Sequence, residues 1–165
     1  MQIFVTSPDA RYCAQYLDDK RVIKQILETA QLISSVMILS GDHRAPYKLT
    51  HQHHPCTKWL LQDKVNQAWI FEHFQELCLE YTRRFERVHA CYAFSELFKD
   101  FCGQTTKQPE SFANVSNHPE IDNTFIAYQL CLAEKWFEDK REPRWYRKRR
   151  TAGVLPMLQG VTRNA

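Results

Sequence analysis

Glycine and proline are scarce in this chain, 4 and 7 of 165 residues. A turn-rich β fold needs both at its hairpins, so this scarcity argues against one. The six cysteines (Cys13, Cys56, Cys78, Cys91, Cys102 and Cys131) contain no C-x-x-C pair. That pattern is not a zinc knuckle or a disulfide frame. Four of the six fall inside apolar helical patterns, where a free thiol packs as a small hydrophobe, so reduced cysteines are expected. No run of about eighteen apolar residues occurs, and the N-terminus lacks the basic start and apolar stretch of a signal peptide. The expectation is a soluble monomer in a cytoplasm, with no membrane partner. P-loop, nucleophile-elbow and dinucleotide fingerprints are all missing, and glycine is too rare for a phosphate-cradling loop.

What is present is apolar helical periodicity. With 44% hydrophobic and 13% aromatic residues, the chain can bury one sizeable core. Helices are expected over 9–16, 18–39, from Pro55 to about 62, 63–86, 88–102 and 121–139. The fold class is therefore all-α: a compact single domain over 1–150, built of four to five main helices, with a tail at 151–165. Asp18 is the expected N-cap of the second helix, and Gly41 its stop.

That second helix organises the chain. At 100° per residue, Val22, Ile23, Ile26, Leu27, Ala30 and Ile33 fall within roughly 140°, a core-facing stripe. Lys20, Lys24, Glu28 and Gln31 share a second arc, with Arg21 and Gln25 beside it. This polar face is either simply wet, with Lys24 and Glu28 as an i,i+4 pair, or it lines a site.

Two other groups of residues bear on chemistry. His43, His51, His53, His54 and Cys56 crowd one loop, but no second ligand pair completes a tetrahedral set, so no metal and no other cofactor is assigned. Residues 140–150 carry a local charge of +6, leaving −3 for the rest of the chain. Arg144, Trp145, Tyr146, Arg147 and Arg149 lie in this segment. Either the aromatics tuck onto the core while the cations stay wet, or the segment grips a polyanion, with nucleic acid the commonest. On the second helix, Asp18, Asp19 and Glu28 stand among Lys20, Arg21 and Lys24. A carboxylate amid cations stabilises a positive transition state or serves as general base, and the cations hold phosphates. That combination suits cleavage at a sugar carbon in DNA.

The stretch Leu17-Asp18-Asp19-Lys20-Arg21-Val22-x-Lys24-Gln25-x-x-Glu28-x-x-Gln31 resembles the L-D-N-K-R-L-x-K-Q-x-x-E-x-x-Q block of the pyrimidine dimer DNA glycosylase family. His54-Pro55-Cys56-Thr57-Lys58-Trp59 and Glu142-Pro143-Arg144-Trp145-Tyr146 resemble two further blocks, in the same order. The resemblance implies a compact all-α fold and a DNA glycosylase with strand scission through an imine, acting on damaged or modified pyrimidines in duplex DNA. It also implies that the N-terminal amine attacks the sugar and that an acidic residue on the long helix supports it. Matching the family's Arg places that acid at Asp18, or at Asp19 with a one-residue shift, with Glu28 in reserve, and the free amine at Met1. Lys20, Arg21, Lys24, Gln25 and Gln31 would line the site, with His54 and Lys58 approaching it. Arg144, Trp145, Tyr146, Arg147 and Arg149 would hold the backbone. Two residues depart from the family pattern: Gln2 is large enough to keep Met1 in place, and Asp18 is shorter than the usual Glu. A binder of nucleic acid or nucleotides on the same fold, or an enzyme modifying a base in the same cleft, fits the same residues.

Overall fold

A computed structural model describes residues 2–145. Its elements are α1 (Ala10–Tyr16), α2 (Asp19–Leu39), α3 (Pro55–Gln62), α4 (Lys64–Phe85), a 3₁₀ turn (Ala90–Phe94), α5 (Ser95–Cys102) and α6 (Thr124–Glu138). There is no strand among the described residues, so the all-α expectation holds.

Local chemistry explains most helix starts. Asp9 accepts from the Arg11 and Tyr12 amides at 2.8 and 3.2 Å, and Asn123 accepts from Phe125 and Ile126 at 3.0 and 3.2 Å. Pro55 begins α3, whose N-cap is the His54 ring: Nδ1 accepts from the Cys56 amide at 3.2 Å. Asp63 ends α3 and caps α4 in one residue, accepting from the Val65 amide at 2.7 Å. Asp18 is the exception. It has N-cap backbone geometry, but its side chain makes no capping bond.

The central element is α4, which packs on α1, α2, α3 and α5. Phe71, Phe74 and Leu77 of α4 meet Val22, Ile26, Ala30 and Ile33 of α2 in the same buried cluster. Tyr128, Leu132 and Trp136 of α6 and the N-terminal Ile3, Phe4 and Val5 complete that core. The α1–α2 corner is tied to α4 by Arg84, which is buried. Its guanidinium donates to Glu80 Oε1 at 2.9 Å, the Leu17 carbonyl at 2.8 Å, Asp19 Oδ1 at 3.1 Å and the Gln15 carbonyl at 3.3 Å. Among the described helices α2 also has the length and mean hydropathy to cross a bilayer, but its Val22, Ile26, Ala30 and Ile33, and its Thr29, Ser34 and Ser35, are buried in the core.

Two expectations change. Ile23 and Leu27, placed on the core stripe by periodicity, are 43% and 39% exposed. The inward arc of α2 is rotated toward Arg21 and Gln25, which are both buried, and Asp139 at the end of α6 accepts from Arg21 on that flank. The stretch 88–102 is not one helix: the His89 ring caps a 3₁₀ turn, and α5 begins only at Ser95. Residues 103–123 form a connection without helix, yet Phe112 and Val115 pack on the core. Tyr128 holds this segment by donating to the Ala113 carbonyl at 2.8 Å and accepting from the Val115 amide at 3.1 Å.

All six cysteines are buried and free. His73 is fully enclosed between Trp69, on which it stacks at 5.2 Å, and α1. Burial pushes its pKa down to about 4. The unfolded chain therefore binds a proton at this ring between about pH 6.5 and 4 that the folded protein excludes. The stabilisation is complete above pH 6.5 and is lost as pH falls toward 4. In urea titrations, wild type should lose about 2–3 kcal/mol more than His73→Phe between pH 7 and 4. Parallel pH profiles for the two proteins would overturn this.

Candidate active site

The N-terminal segment, the first half of α2 and the end of α6 converge on a cleft of about 450 Å³. Gln2 and Phe4 form one wall, Lys20, Arg21, Lys24, Gln25 and Glu28 a second, and Lys135, Glu138 and Asp139 the third. Each wall follows from local structure. Phe4 is anchored edge-on against Tyr128 of α6, at 6.2 Å. Gln2 Nε2 donates to the Val115 carbonyl at 2.9 Å. On α2, residues 20, 24 and 28 recur every four positions and so stack along one face.

Glu28 is the carboxylate that α2 presents to this cleft, beside Glu138 and Asp139 on the opposite wall. Its side chain is 17% exposed; Oε2 accepts from Gln25 Nε2 at 2.9 Å and Oε1 lies 3.3 Å from Lys24 Nζ. Lys24 itself is 71% exposed, so its ion pair is open to competition by other anions. Lys135 enters from α6 and has no ion partner among the described residues. Three carboxylates, two exposed lysines and a half-buried lysine in one concave site suit a cationic reacting centre flanked by phosphates.

Asp18 lies elsewhere. It is 2% exposed, and its Oδ1 accepts from Arg21 Nη1 at 2.9 Å and from the Trp136 indole at 2.8 Å. The same Arg21 nitrogen donates to Asp139 Oδ2 at 2.9 Å, and Lys20 Nζ reaches Asp139 Oδ1 at 2.6 Å. The Lys20 ammonium, with Arg21 beside it, holds the Asp139 carboxyl below its usual range. This network fastens α6 to the start of α2. It also separates the cleft from a second cavity of about 600 Å³, walled by Asp18, Asp19 and residues 138–144.

Of the sequence candidates, Lys20, Arg21, Lys24, Gln25 and Glu28 are brought together, while Gln31, His54 and Lys58 are not part of the cleft wall. His54 uses its ring nitrogen as a helix cap, and no three His, Cys, Asp or Glu side chains are grouped as a metal site among the described residues. Arg144 lines the second cavity, and its carbonyl accepts from the Asp19 amide at 2.8 Å. Trp145 tucks inward: it packs edge-on against Trp136 at 5.2 Å and donates to the Tyr16 carbonyl at 3.3 Å. Met1, Tyr146, Arg147 and Arg149 lie outside the described residues. Gln2, Lys135, Glu138 and Asp139 are cleft residues that sequence reasoning missed. Lys135, Glu138 and Asp139 share a helical face by their spacing, but no local signal says that this face meets α2.

The family model for pyrimidine dimer DNA glycosylase matches residues 1–93, a stretch that contains the N-terminal and α2 walls of the cleft and stops before α6. No curated protein and no solved structure matches the chain. With more than half of the chain under that model, and its match falling on the walls that hold Gln2, Lys24 and Glu28, the protein belongs to the pyrimidine dimer DNA glycosylase family.

Proposed function

We propose that this protein is a DNA N-glycosylase that removes damaged or modified pyrimidines from duplex DNA, with Glu28 as the supporting carboxylate. The observation that carries this reading is the placement of Glu28 in an open, cation-rich cleft beside the N-terminal segment, within the residues that match the family. Breaking the bond between base and sugar develops positive charge at C1′. An ionised carboxylate at the cleft floor stabilises that charge, or orients the group that attacks it. The target nucleotide must leave the duplex stack to reach such a cleft. Lys20 and Lys24 at the rim, and Lys135 inside, meet the flanking phosphates.

Strand scission is the second part of the proposal. The α-amine of the N-terminus attacks C1′ as the base departs, the sugar ring opens to an iminium, and loss of the 3′ phosphate by β-elimination nicks the strand. Incubation with duplex DNA bearing cyclobutane pyrimidine dimers, with and without borohydride, tests both parts. The expected products are a strand nicked at the dimer without borohydride and a covalent protein–DNA adduct with it; the cut base stays tethered to its neighbour through the cyclobutane ring. Intact abasic sites with neither nick nor adduct would remove the imine step, and the absence of abasic sites, nicks and adduct alike would overturn the glycosylase reading.

Phosphate contacts make affinity depend on salt. Lys24→Ala is expected to reduce the slope of log affinity against log salt by about 1. An unchanged slope would exclude Lys24 as a phosphate contact.

A further inference from the structure

We infer that Gln25 is a positioning residue for the Glu28 carboxylate, held in an otherwise unfavourable setting for that purpose; this rests on the glycosylase reading above. Gln25 is 2% exposed, on the face of α2 that lines the cleft. Its Nε2 donates to Glu28 Oε2 at 2.9 Å. An ionised carboxylate only accepts, so the amide must present its N–H₂ to Glu28 and turn its oxygen the other way. That oxygen is buried and has no hydrogen-bond partner. One turn further along the same face, the Thr29 hydroxyl is also buried without a partner.

A buried acceptor left unpaired is destabilising, and a purely apolar side chain at position 25 would avoid it. The gain offsetting this penalty is at the cleft. The other Glu28 contact, Lys24, is exposed and interacts at 3.3 Å, so it is the partner a DNA phosphate displaces. Gln25 is buried and stays. When Lys24 turns to a phosphate, the amide of Gln25 keeps the carboxylate from rotating out of line with the sugar. Gln25 therefore acts through Glu28, without touching the reacting atoms.

The test is a double-mutant cycle on duplex DNA carrying cyclobutane pyrimidine dimers, read by DNA affinity, melting temperature and single-turnover base release, meaning scission of the base–sugar bond scored as abasic sites or nicks, since the cyclobutane ring still tethers the cut base. Gln25→Met keeps the length of the side chain and removes both polar atoms; Gln25→Leu is a second apolar replacement. The expected result is base release slowed by about ten- to a hundredfold, the scale of one hydrogen bond to a charged group. Affinity for DNA should stay within about twofold and the melting temperature should not fall. In a Glu28→Gln background the Gln25 substitution should add no further loss. A full rate in both Gln25 variants, or losses that multiply with Glu28→Gln, would overturn the inference. Wild-type base release that Glu28→Gln leaves at full rate would overturn it together with the role of Glu28, and leave the glycosylase activity standing. A wild-type protein that releases no base removes the glycosylase reading itself and this inference with it.

Discussion

Glu28→Gln is expected to slow base release from dimer-containing duplex DNA by about 10²- to 10⁴-fold, the range for loss of a positioned acid–base or charge-stabilising group. The substitution keeps the size of the side chain and an acceptor oxygen for Gln25, but removes the negative charge that faces the developing cation. Its structural effects should be small. The ion pair lost is with Lys24, which is 71% exposed, and such i,i+4 pairs contribute only a few tenths of a kcal/mol. Affinity for DNA should hold or rise, since a negative charge leaves a phosphate-facing cleft. A variant that melts like wild type, binds DNA, and still releases base at the wild-type rate would exclude Glu28 as the supporting carboxylate.

Asp18→Ala is expected to do the opposite, with a stability loss of about 3–5 kcal/mol, typical of breaking one side of a buried ion pair. The Asp18 carboxylate is enclosed between Arg21 and the Trp136 indole. Its removal strands the indole N–H and leaves Arg21 with Asp139 as its remaining carboxylate in this network. Asp18→Asn, which retains an oxygen for Trp136, should lose less. Urea unfolding gives the stability, and single-turnover base release per folded molecule should remain within about threefold of wild type, far from the loss at Glu28. If Asp18→Ala instead melted normally and lost activity by orders of magnitude, the chemistry would belong to Asp18. The two substitutions thus separate the carboxylate that frames the site from the one that lines it.

The helix pattern was legible because it is local. Caps at Asp9, Asn123 and Asp63, the proline at position 55 and the 3.6-residue spacing of apolar side chains act within a few residues of themselves. The failure over 88–102 is local too: the aromatic spacing there fits a helix, but the His89 ring captures the Cys91 amide and sets a 3₁₀ turn first. The exposed Ile23 and Leu27 mark where local information ends. Periodicity ranks side chains by angle about the helix axis and carries nothing about which neighbour covers which flank.

The same limit governs the choice of carboxylate. Asp18 and Glu28 lie on or beside one helix, ten residues and so roughly 15 Å apart along its axis. By itself the amino-acid sequence determined the helical class, the long amphipathic α2, the family block on its polar face and the presence of acids among cations there. Only the tertiary structure decided which acid is open to a substrate. The end of α6, more than a hundred residues downstream, brings Trp136 and Asp139 onto the start of α2 and closes over Asp18. One turn or more along α2, Lys135 and Glu138 stand across the cleft in which Glu28 is partly exposed. Burial converts the first carboxylate into a structural tie, because a charge cut off from water is held by its partners. Partial exposure leaves the second one open to the cleft, where the proposed reaction would form its cation.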